Sequence, residues 1–332
     1  MKKIVLLIML FTIHFLTIPG IGQVNLKKLG QNTMGFLEVA VSPKAVAMGN
    51  AYTALSNDVV SMFYNPAGLA EIESGYNAFA SYTGWIADIN YSAGAIAKSF
   101  GKLGTFAISA LMVDYGEIQG AQLLSQADPR GYELTGNVDV GSYAFGLGYA
   151  RRISDQFSLG GLIQLAGQNL GQSQLTYGTV DNKVNTFVLN FGIKYFPVTN
   201  SSFRFAMAIR NFSSNIKYEE VSVQLPMVFM VGAAWDVVEL FSTDQRNHSF
   251  IISSEFLHPN DYTERVNIGG EYSLGGLIAL RAGYEFNRDL TGLSAGIGFG
   301  PVISGKKLEI NYSYSDFDVF DAVNRFSLIF SF

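Results

Sequence analysis

The sequence contains no cysteine, and only 15% of its 332 residues are charged, against about 25% in ordinary soluble domains. The missing thiols exclude a disulfide scaffold and any cysteine-based zinc or iron–sulfur site. Basic charge is scarce as well. Twenty-two Lys and Arg stand against 27 Asp and Glu, a formal net charge of −5, so nucleic acid is not an expected partner. Beyond the first segment no stretch reaches the ~18 uninterrupted apolar residues of a spanning helix. What is abundant is apolar and aromatic: 48% hydrophobic residues, with 26 Phe, 17 Tyr and 35 Gly. That content excludes disorder and leaves a large apolar surface to be buried or turned to lipid.

The chain opens on Met1-Lys2-Lys3. An apolar core from Ile4 to Ile18 follows, broken only by Thr12, His14 and Thr17, and Pro19-Gly20-Ile21-Gly22 then supplies small residues before Gln23. A positive start, an apolar core and a small-residue junction make a secretory signal peptide. The core falls short of the ~20 residues a membrane anchor needs. Residues 1–22 therefore read as a cleaved signal, cut between Gly22 and Gln23. Without Lys2 and Lys3 the exported chain keeps 20 basic and 27 acidic residues, a net charge of −7.

From residue 76 onward the apolar period is two. Phe187, Leu189, Phe191, Ile193 and Tyr195 oppose Asn190, Gly192 and Lys194. Leu308, Ile310, Tyr312 and Tyr314 oppose Glu309, Asn311, Ser313 and Ser315. Successive side chains of a strand point to opposite faces, so this is strand grammar. Fourteen such segments occur, near 76–88, 89–100, 103–116, 137–151, 157–171, 185–196, 202–213, 226–238, 247–257, 264–274, 277–287, 290–300, 305–316 and 323–332. Each is long enough to cross a bilayer as a tilted strand. The even count matches bacterial single-chain barrels, in which closure removes the strand edges that lipid cannot satisfy. A soluble sandwich or small barrel would have to bury all these Phe and Tyr inside, where they do not fit. The fold class is therefore all-β, a 14-stranded antiparallel transmembrane β-barrel in the outer membrane, with membrane lipid as its first partner. Short connections fall at one end and the longer ones, at 117–136, 172–184, 214–225, 258–263 and 317–322, at the other, as periplasmic turns and extracellular loops do. Tyr82 and Trp85 at one rim and Trp235 and Phe332 at the other suit aromatic girdles. Phe326, Leu328, Phe330 and Phe332 end the chain on one outward face, like the insertion signal of outer-membrane barrels.

Residues 23–75 follow another grammar. Ser42-Pro43 reads as a helix start, with Ser at the N-cap and Pro at the first helical position. Asn65-Pro66-Ala67-Gly68 is a second cap-like turn. Phe36, Leu37, Val39, Val41, Met62, Phe63, Tyr64 and Leu69 would be exposed on a free extension, so this partly helical stretch is expected to fill the lumen as a hatch or plug, leaving 76–332 as the barrel. The residues that carry it are Phe36-Leu37, Ser42-Pro43-Lys44-Ala45-Val46-Ala47-Met48-Gly49-Asn50-Ala51, Asn57-Asp58 and Phe63-Tyr64-Asn65-Pro66-Ala67-Gly68-Leu69-Ala70. Together they resemble the N-terminal signature of the PorV/PorQ family, itself similar to the FadL outer-membrane transporters. The resemblance implies a fourteen-strand barrel whose hatch carries Gly49, Asn50, Asn65, Pro66, Ala67 and Gly68. It also implies one of two roles. PorV-like proteins serve the type IX secretion system of Bacteroidetes, binding secreted cargo and passing it to the surface machinery, so translocon, cargo or surface-complex proteins are the implied partners. FadL-like proteins carry fatty acids or other hydrophobic molecules inward through the lumen.

No chemistry of catalysis stands out, and no cofactor or metal is expected. His248 and His258, the two histidines after the signal, fall at opposite rims and do not make a metal site or a Ser-His pair. Gly292-Leu293-Ser294-Ala295-Gly296 matches a nucleophile elbow, but that needs a strand-to-helix turn and this match lies in a strand. Gly146-Leu147-Gly148 lies in a strand as well, and Asp316, Asp318 and Asp321 lack the spacing of a calcium loop. Arg265, Glu271, Arg281, Glu285, Glu309 and Arg325 are expected to face the lumen as one polar network. Ile118, Leu123 and Leu124, apolar residues within the loop 117–136, form a candidate partner patch unless the loop folds over the mouth and buries them. Mass spectrometry of the exported protein is expected to show Gln23 as its first residue; retention of Lys2 and Lys3 would mean that the segment is an anchor.

Overall fold

The computed structural model describes residues 30–73, 75–124, 129–175, 178–199, 201–218, 220–241 and 248–332. The signal segment 1–22 and its cleavage site lie outside them. Among the described residues no helix is long and apolar enough to cross a membrane. The strands are β1 (Tyr76–Gly84), β2 (Asn90–Ser99), β3 (Thr105–Asp114), β4 (Gly141–Ser154), β5 (Phe157–Leu175), β6 (Gly178–Tyr195), β7 (Arg204–Phe212), β8 (Val228–Asp236), β9 (His248–Pro259), β10 (Arg265–Leu274), β11 (Ile278–Phe286), β12 (Leu293–Phe299), β13 (Lys306–Phe317) and β14 (Phe320–Ser331). Each pairs antiparallel with the next, and β14 returns to β1, giving a closed 14-stranded barrel. The closing seam runs from Asn77↔Ser331 to Gly84↔Asn324. It is extended by the Tyr76 amide donating to the Phe332 carbonyl at 2.6 Å and the Phe332 amide to the Tyr76 carbonyl at 2.9 Å. The two rings stack with centroids 5.4 Å apart.

Alternation decides what each face meets. In β3, Thr105, Ala107, Ser109, Leu111 and Val113 are buried while Phe106, Ile108 and Met112 are exposed. The large apolar residues are thus outside and the small or polar ones inside, the reverse of a soluble barrel. Registered rows extend this band around the wall, as in Ile96↔Ile108↔Leu147↔Ile163. At the C-terminal seam Phe326, Leu328 and Phe332 are exposed on the outer face and Phe330 half-buried beside them, while Ile329 turns inward and is buried.

The strand ends depart from the alternation where backbone or solvent takes over. The pattern predicts β1 to run to 88, but it stops at Gly84, because Ala87 and Asp88 take left-handed φ of 56° and 59°. That turn aims Trp85 inward. Its ring meets Phe317 edge-on at 4.9 Å and lies under the Arg325 guanidinium at 5.4 Å, so it does not join the rim girdle that Tyr82 occupies. The expected loop 172–184 is largely strand, since β5 runs to Leu175 and β6 starts at Gly178. This hairpin continues past the apolar band, where exposed Gln172, Thr179, Asp181 and Lys183 are polar and the alternation signal disappears. The loop after β3 holds a second hairpin, Gln119–Leu123 paired with Tyr132–Asn137.

Residues 30–73 run through the barrel from one mouth to the other. At the long-loop end the Thr33 amide donates to the Gln224 carbonyl at 3.0 Å, and at the short-turn end the segment meets β1 beside Gly75. Between them lie a 3-10 turn at Gly35–Glu38, a short helix, α1 (Pro43–Ala47), packed on β11, β12 and β13, and two further 3-10 turns. Val59–Phe63 packs on β1, β2 and β3, and Pro66–Glu71 on β4, β5 and β6. Contact with opposite walls is possible only from inside. Ser42 caps α1 by position alone, without a side-chain bond, whereas Asn65 caps its turn by accepting from the Ala67 amide at 3.1 Å.

A charge placed mid-wall tests which face meets lipid. In phospholipid vesicles Ile108→Arg is expected to cost about 2–4 kcal/mol of unfolding free energy, while Leu123→Arg on the projecting hairpin stays within about 0.5 kcal/mol. Denaturant titration reads both, and equal costs would contradict an outer face buried in lipid.

Candidate functional site

Two features mark the interior: a polar seam that fastens the inner segment to the wall, and a cavity above it. The seam is built on the Asn65-Pro66-Ala67-Gly68 turn. The Asn65 side chain is fully buried and donates to the Thr53 carbonyl at 3.1 Å and to the Ile193 carbonyl of β6 at 3.2 Å. It fits because β6 offers Gly192 at the point of approach, where any Cβ would occupy the position of the Asn65 carboxamide. Two residues beyond Gly192, the buried Lys194 ammonium donates to the Ser56 carbonyl at 2.7 Å and pairs with the Glu71 carboxylate. On the other wall the Thr53 amide donates to Glu255 at 2.8 Å, and the Val59 amide donates to Asn77 at 2.9 Å. Gly49, with φ 59°, brings the end of α1 so close to β11 that a Cβ there would meet the Tyr284 amide at 2.6 Å. Asn50 follows, also left-handed at φ 56°, and donates to Glu285 at 2.8 Å. Gly49, Asn50, Asn65, Pro66 and Ala67 are therefore placed at contacts between the segment and the wall, whereas Gly68 packs within the segment, against Ser56 and Ser61. Lys194, Glu71, Glu255 and Asn77 share this seam without any local signature, because a single inward polar residue in a strand looks the same whether it meets water or a carbonyl.

The six inward charges do not form one network. Nearer the short-turn end Arg281 donates to Glu271 at 2.5 Å and to Asn311 at 2.8 Å, and reaches Glu309 at 3.6 Å. Glu309 also meets Lys44 of α1 at 3.6 Å and Lys307 at 3.4 Å. Nearer the long loops Glu285 binds Arg288 at 3.0 Å, and Arg265 lies over the Tyr262 ring at 4.4 Å. Arg325 stands apart, donating to the Ala40 carbonyl at 3.0 Å and to Ser315 at 3.1 Å. The register explains the split: Glu271↔Arg281 and Asn267↔Glu285 are separated along the same two strands.

The second group surrounds a cavity of about 400 Å³ at the long-loop end. Val39, Ala40, Trp85, Val228, Met230 and Leu257 supply apolar walls, and Arg210, Glu255, Asp261, Arg265, Glu285 and Arg325 supply charge. Glu38 of the inner segment also faces it; burial raises its carboxyl above the usual range and nearby Asp261 raises it further. Below, the space narrows to about 20 Å³ between Leu37, Met62, Phe63, Tyr64 and Leu111. The inner segment thus fills the lumen beneath the cavity.

The other expected residues lie elsewhere. Ile118 and Leu123 are exposed, Leu123 at 89%, and Leu124 is half-buried, so the hairpin projects into solvent instead of covering the mouth. Ser294 lies within β12, buried, and donates to the Val46 carbonyl of α1 at 2.6 Å, which is a strand-to-helix contact and not an elbow. His248 bonds the Tyr272 hydroxyl at 2.7 Å, and His258 reaches Glu264 at 3.4 Å from the other end of β9.

No family model matches the chain, and no curated protein matches its sequence. Solved structures do. The CymD monoaromatic hydrocarbon channel superposes with a TM-score of 0.55 at 13% identity, over 89% of this chain and 98% of that one. The toluene transporter TodX of Pseudomonas putida gives 0.56 at 10%, over 86% and 96%. The toluene transporter TbuX of Ralstonia pickettii gives 0.51 at 13%, over 88% and 97%. At this identity the likeness is one of fold: the chain shares their closed antiparallel barrel.

Removing one partner of a buried pair leaves the other charge uncompensated, at about 3–5 kcal/mol. Lys194→Ala and Gly192→Val are each expected to release the Asn65 turn, with faster hydrogen exchange over 53–71 and earlier protease cutting there, while the barrel stays closed. Unchanged protection in both would remove the seam as the fastening.

Proposed function

We propose that this protein is an outer-membrane conduit for small hydrophobic or amphipathic molecules, which enter at the long-loop mouth and collect in the 400 Å³ cavity above the inner segment. The observation that carries the reading is this cavity, half apolar and open to the long loops, on a fold shared with hydrocarbon channels and toluene transporters. By the asymmetry of bacterial barrels the long-loop end faces outward and the short turns face the periplasm, with residues 1–22 as the removed export signal. Residues 23–75 act as the hatch and 76–332 as the barrel, Asn65, Pro66 and Ala67 fixing the hatch to β6. The terminal Phe326, Leu328, Phe330 and Phe332 serve as the insertion signal. The role is transport without catalysis; the related folds named above are channels and transporters. Because the lumen below the cavity is filled, passage requires Leu37, Met62 and Phe63 to move, and the described state is the closed one.

A second reading has one observation in its favour. A filled lumen with an exposed hairpin at Leu123 also suits a barrel that binds proteins at its surface, and the resemblance of residues 36–70 to the PorV/PorQ signature supports such a role in type IX secretion. That resemblance is shared with transporters, so it does not favour secretion over transport.

Entry of radiolabelled toluene into lipopolysaccharide-containing outer-membrane vesicles separates the two. Vesicles carrying the protein are expected to fill several-fold faster than vesicles without it, and Lys194→Ala, which loosens the hatch, to fill faster still. Equal filling, together with recovery of a translocon or surface protein from native membranes on the intact barrel but not on a variant lacking 119–137, would replace the conduit by the binding role.

A further inference from the structure

The cavity is lined by polar atoms that the fold leaves without partners. Asn50 Oδ1, Arg210 Nε, Asp261 Oδ1, Arg265 Nε, Asn267 Oδ1 and Thr291 Oγ1 are all buried, none has a hydrogen-bond partner in the protein, and all six residues line this one space. Buried polar atoms are ordinarily paired, and each one left unpaired costs stability. Six around one cavity therefore point to something that enters and bonds them. Arg265 and Asn267 are themselves 7% and 1% exposed, so they are fixed parts of the wall and not surface side chains resting over it.

Their chemistry is two-sided. Arg210 and Arg265 offer N–H donors; Asp261, Asn50 and Asn267 offer acceptor oxygens. The charge is two-sided too. The lining carries Arg210, Arg265, Arg288 and Arg325 against Glu38, Glu255, Asp261, Glu285 and Asp289. Among these, Arg265, Arg210, Asp261 and Glu38 stand beyond ion-pair distance of any described residue and act on one another only at longer range, Arg210 with Glu38 and Arg265 with Glu38 and Asp261. A bare hydrocarbon would leave every one of these atoms unpaired. A lone anion would satisfy the guanidiniums and add to the carboxylates, and a lone cation would do the converse. The ligand that answers both is a zwitterion with an apolar body for Trp85, Val228 and Met230. The volume is at the lower end of small-molecule pockets, ~300–1,000 Å³.

We infer that the cavity binds a small amphipathic zwitterion, an ammonium and a carboxylate on one apolar skeleton as in an aromatic amino acid, with the carboxylate on Arg265 and the ammonium on Asp261. The inference deepens the conduit reading by naming the class of molecule the mouth selects, and rests on it only for the claim that the bound molecule goes on to cross.

Trp85 lines the cavity, and Trp235, the other tryptophan, lies on the far part of the wall bonded to Glu239. In a Trp235→Phe background the emission of the full-length barrel in detergent therefore reports the cavity. Four probes share one ring: phenylalanine, phenylacetate, 2-phenylethylamine and toluene. Phenylalanine is expected to change the emission saturably at a concentration at least ten-fold below the other three. Arg265→Gln and Asp261→Asn are each expected to weaken it ten-fold or more. If either fails to fold, Glu38→Gln on the inner segment, with a several-fold loss for phenylalanine and 2-phenylethylamine but not phenylacetate, reads the same ammonium contact. Toluene or a singly charged probe binding as tightly as phenylalanine, or variants that bind phenylalanine unchanged, would overturn the inference. Entry of radiolabelled toluene and of radiolabelled phenylalanine into vesicles is scored separately, and entry of either counts. Entry without the phenylalanine preference overturns the zwitterion site and leaves the conduit; the preference without entry leaves the site and overturns the conduit.

Discussion

Everything in this molecule depends on the seam between β1 and β14. A sheet in lipid cannot leave a strand edge open, because no water is present to pair its amides and carbonyls. Fourteen strands close only if the last residues return to the first with the correct register, and here they do so to the final residue, Tyr76 and Phe332 exchanging both backbone bonds. Closure then fixes the rest. It defines an inside and an outside, and with a side-chain period of two it assigns every strand residue to one or the other. The large apolar residues go to the lipid side, and the composition that is odd for a soluble protein becomes the ordinary composition of a wall with lipid on one face.

The inside is then a small space to be filled. The inner faces of β4 to β6 and β10 to β13 carry Gly, Ala and Ser at the heights where residues 43–50 and 65–68 approach, so backbone meets backbone. Where charge is needed it is single and local: Lys194 to Glu71 and a carbonyl, Glu255 to an amide, Arg325 to the Ala40 carbonyl. Each bond joins a strand to the inner segment and not strand to strand. The wall is held by its own ladder and by the strand-to-strand cluster of Arg281 with Glu271, Asn311 and Glu309, while these three side chains serve the contents.

The alternation was legible in the sequence wherever lipid enforced it. Strands such as 264–274 and 277–287 are found within a residue or two of their expected limits, because one face must be apolar there. It was not legible where strands leave the membrane. The ends of β5 and β6 and the hairpin at 119–137 are held by backbone pairing in water and carry no apolar period, so they read as loops. The inner segment was legible as a composition break with caps at Ser42 and Asn65, but the walls it would touch were not, since contacts between residues 65 and 193 or 53 and 255 have no local signature. For the same reason the six inward charges looked like one set. Only the register shows that Arg281 and Arg265 belong to different heights.

One feature bears on how such a molecule is assembled. The inner segment starts beside Gln224 at one mouth and is joined to β1 at the other, so it is threaded through the ring like a cord through a bead. A closed ring cannot take up a folded cord from the side. Either β14 joins β1 after residues 30–73 are already lying against the open sheet, or those residues enter by their leading end afterwards. The small and polar inner face suits the first order: an open sheet presenting Gly192, Gly269 and Gly283 has grooves in which Asn65 and Met48 can settle before the last pair of strands shuts the ring around them. In that order the contents act as the mould on which the wall is cast, and the bore of the barrel is set by what it encloses.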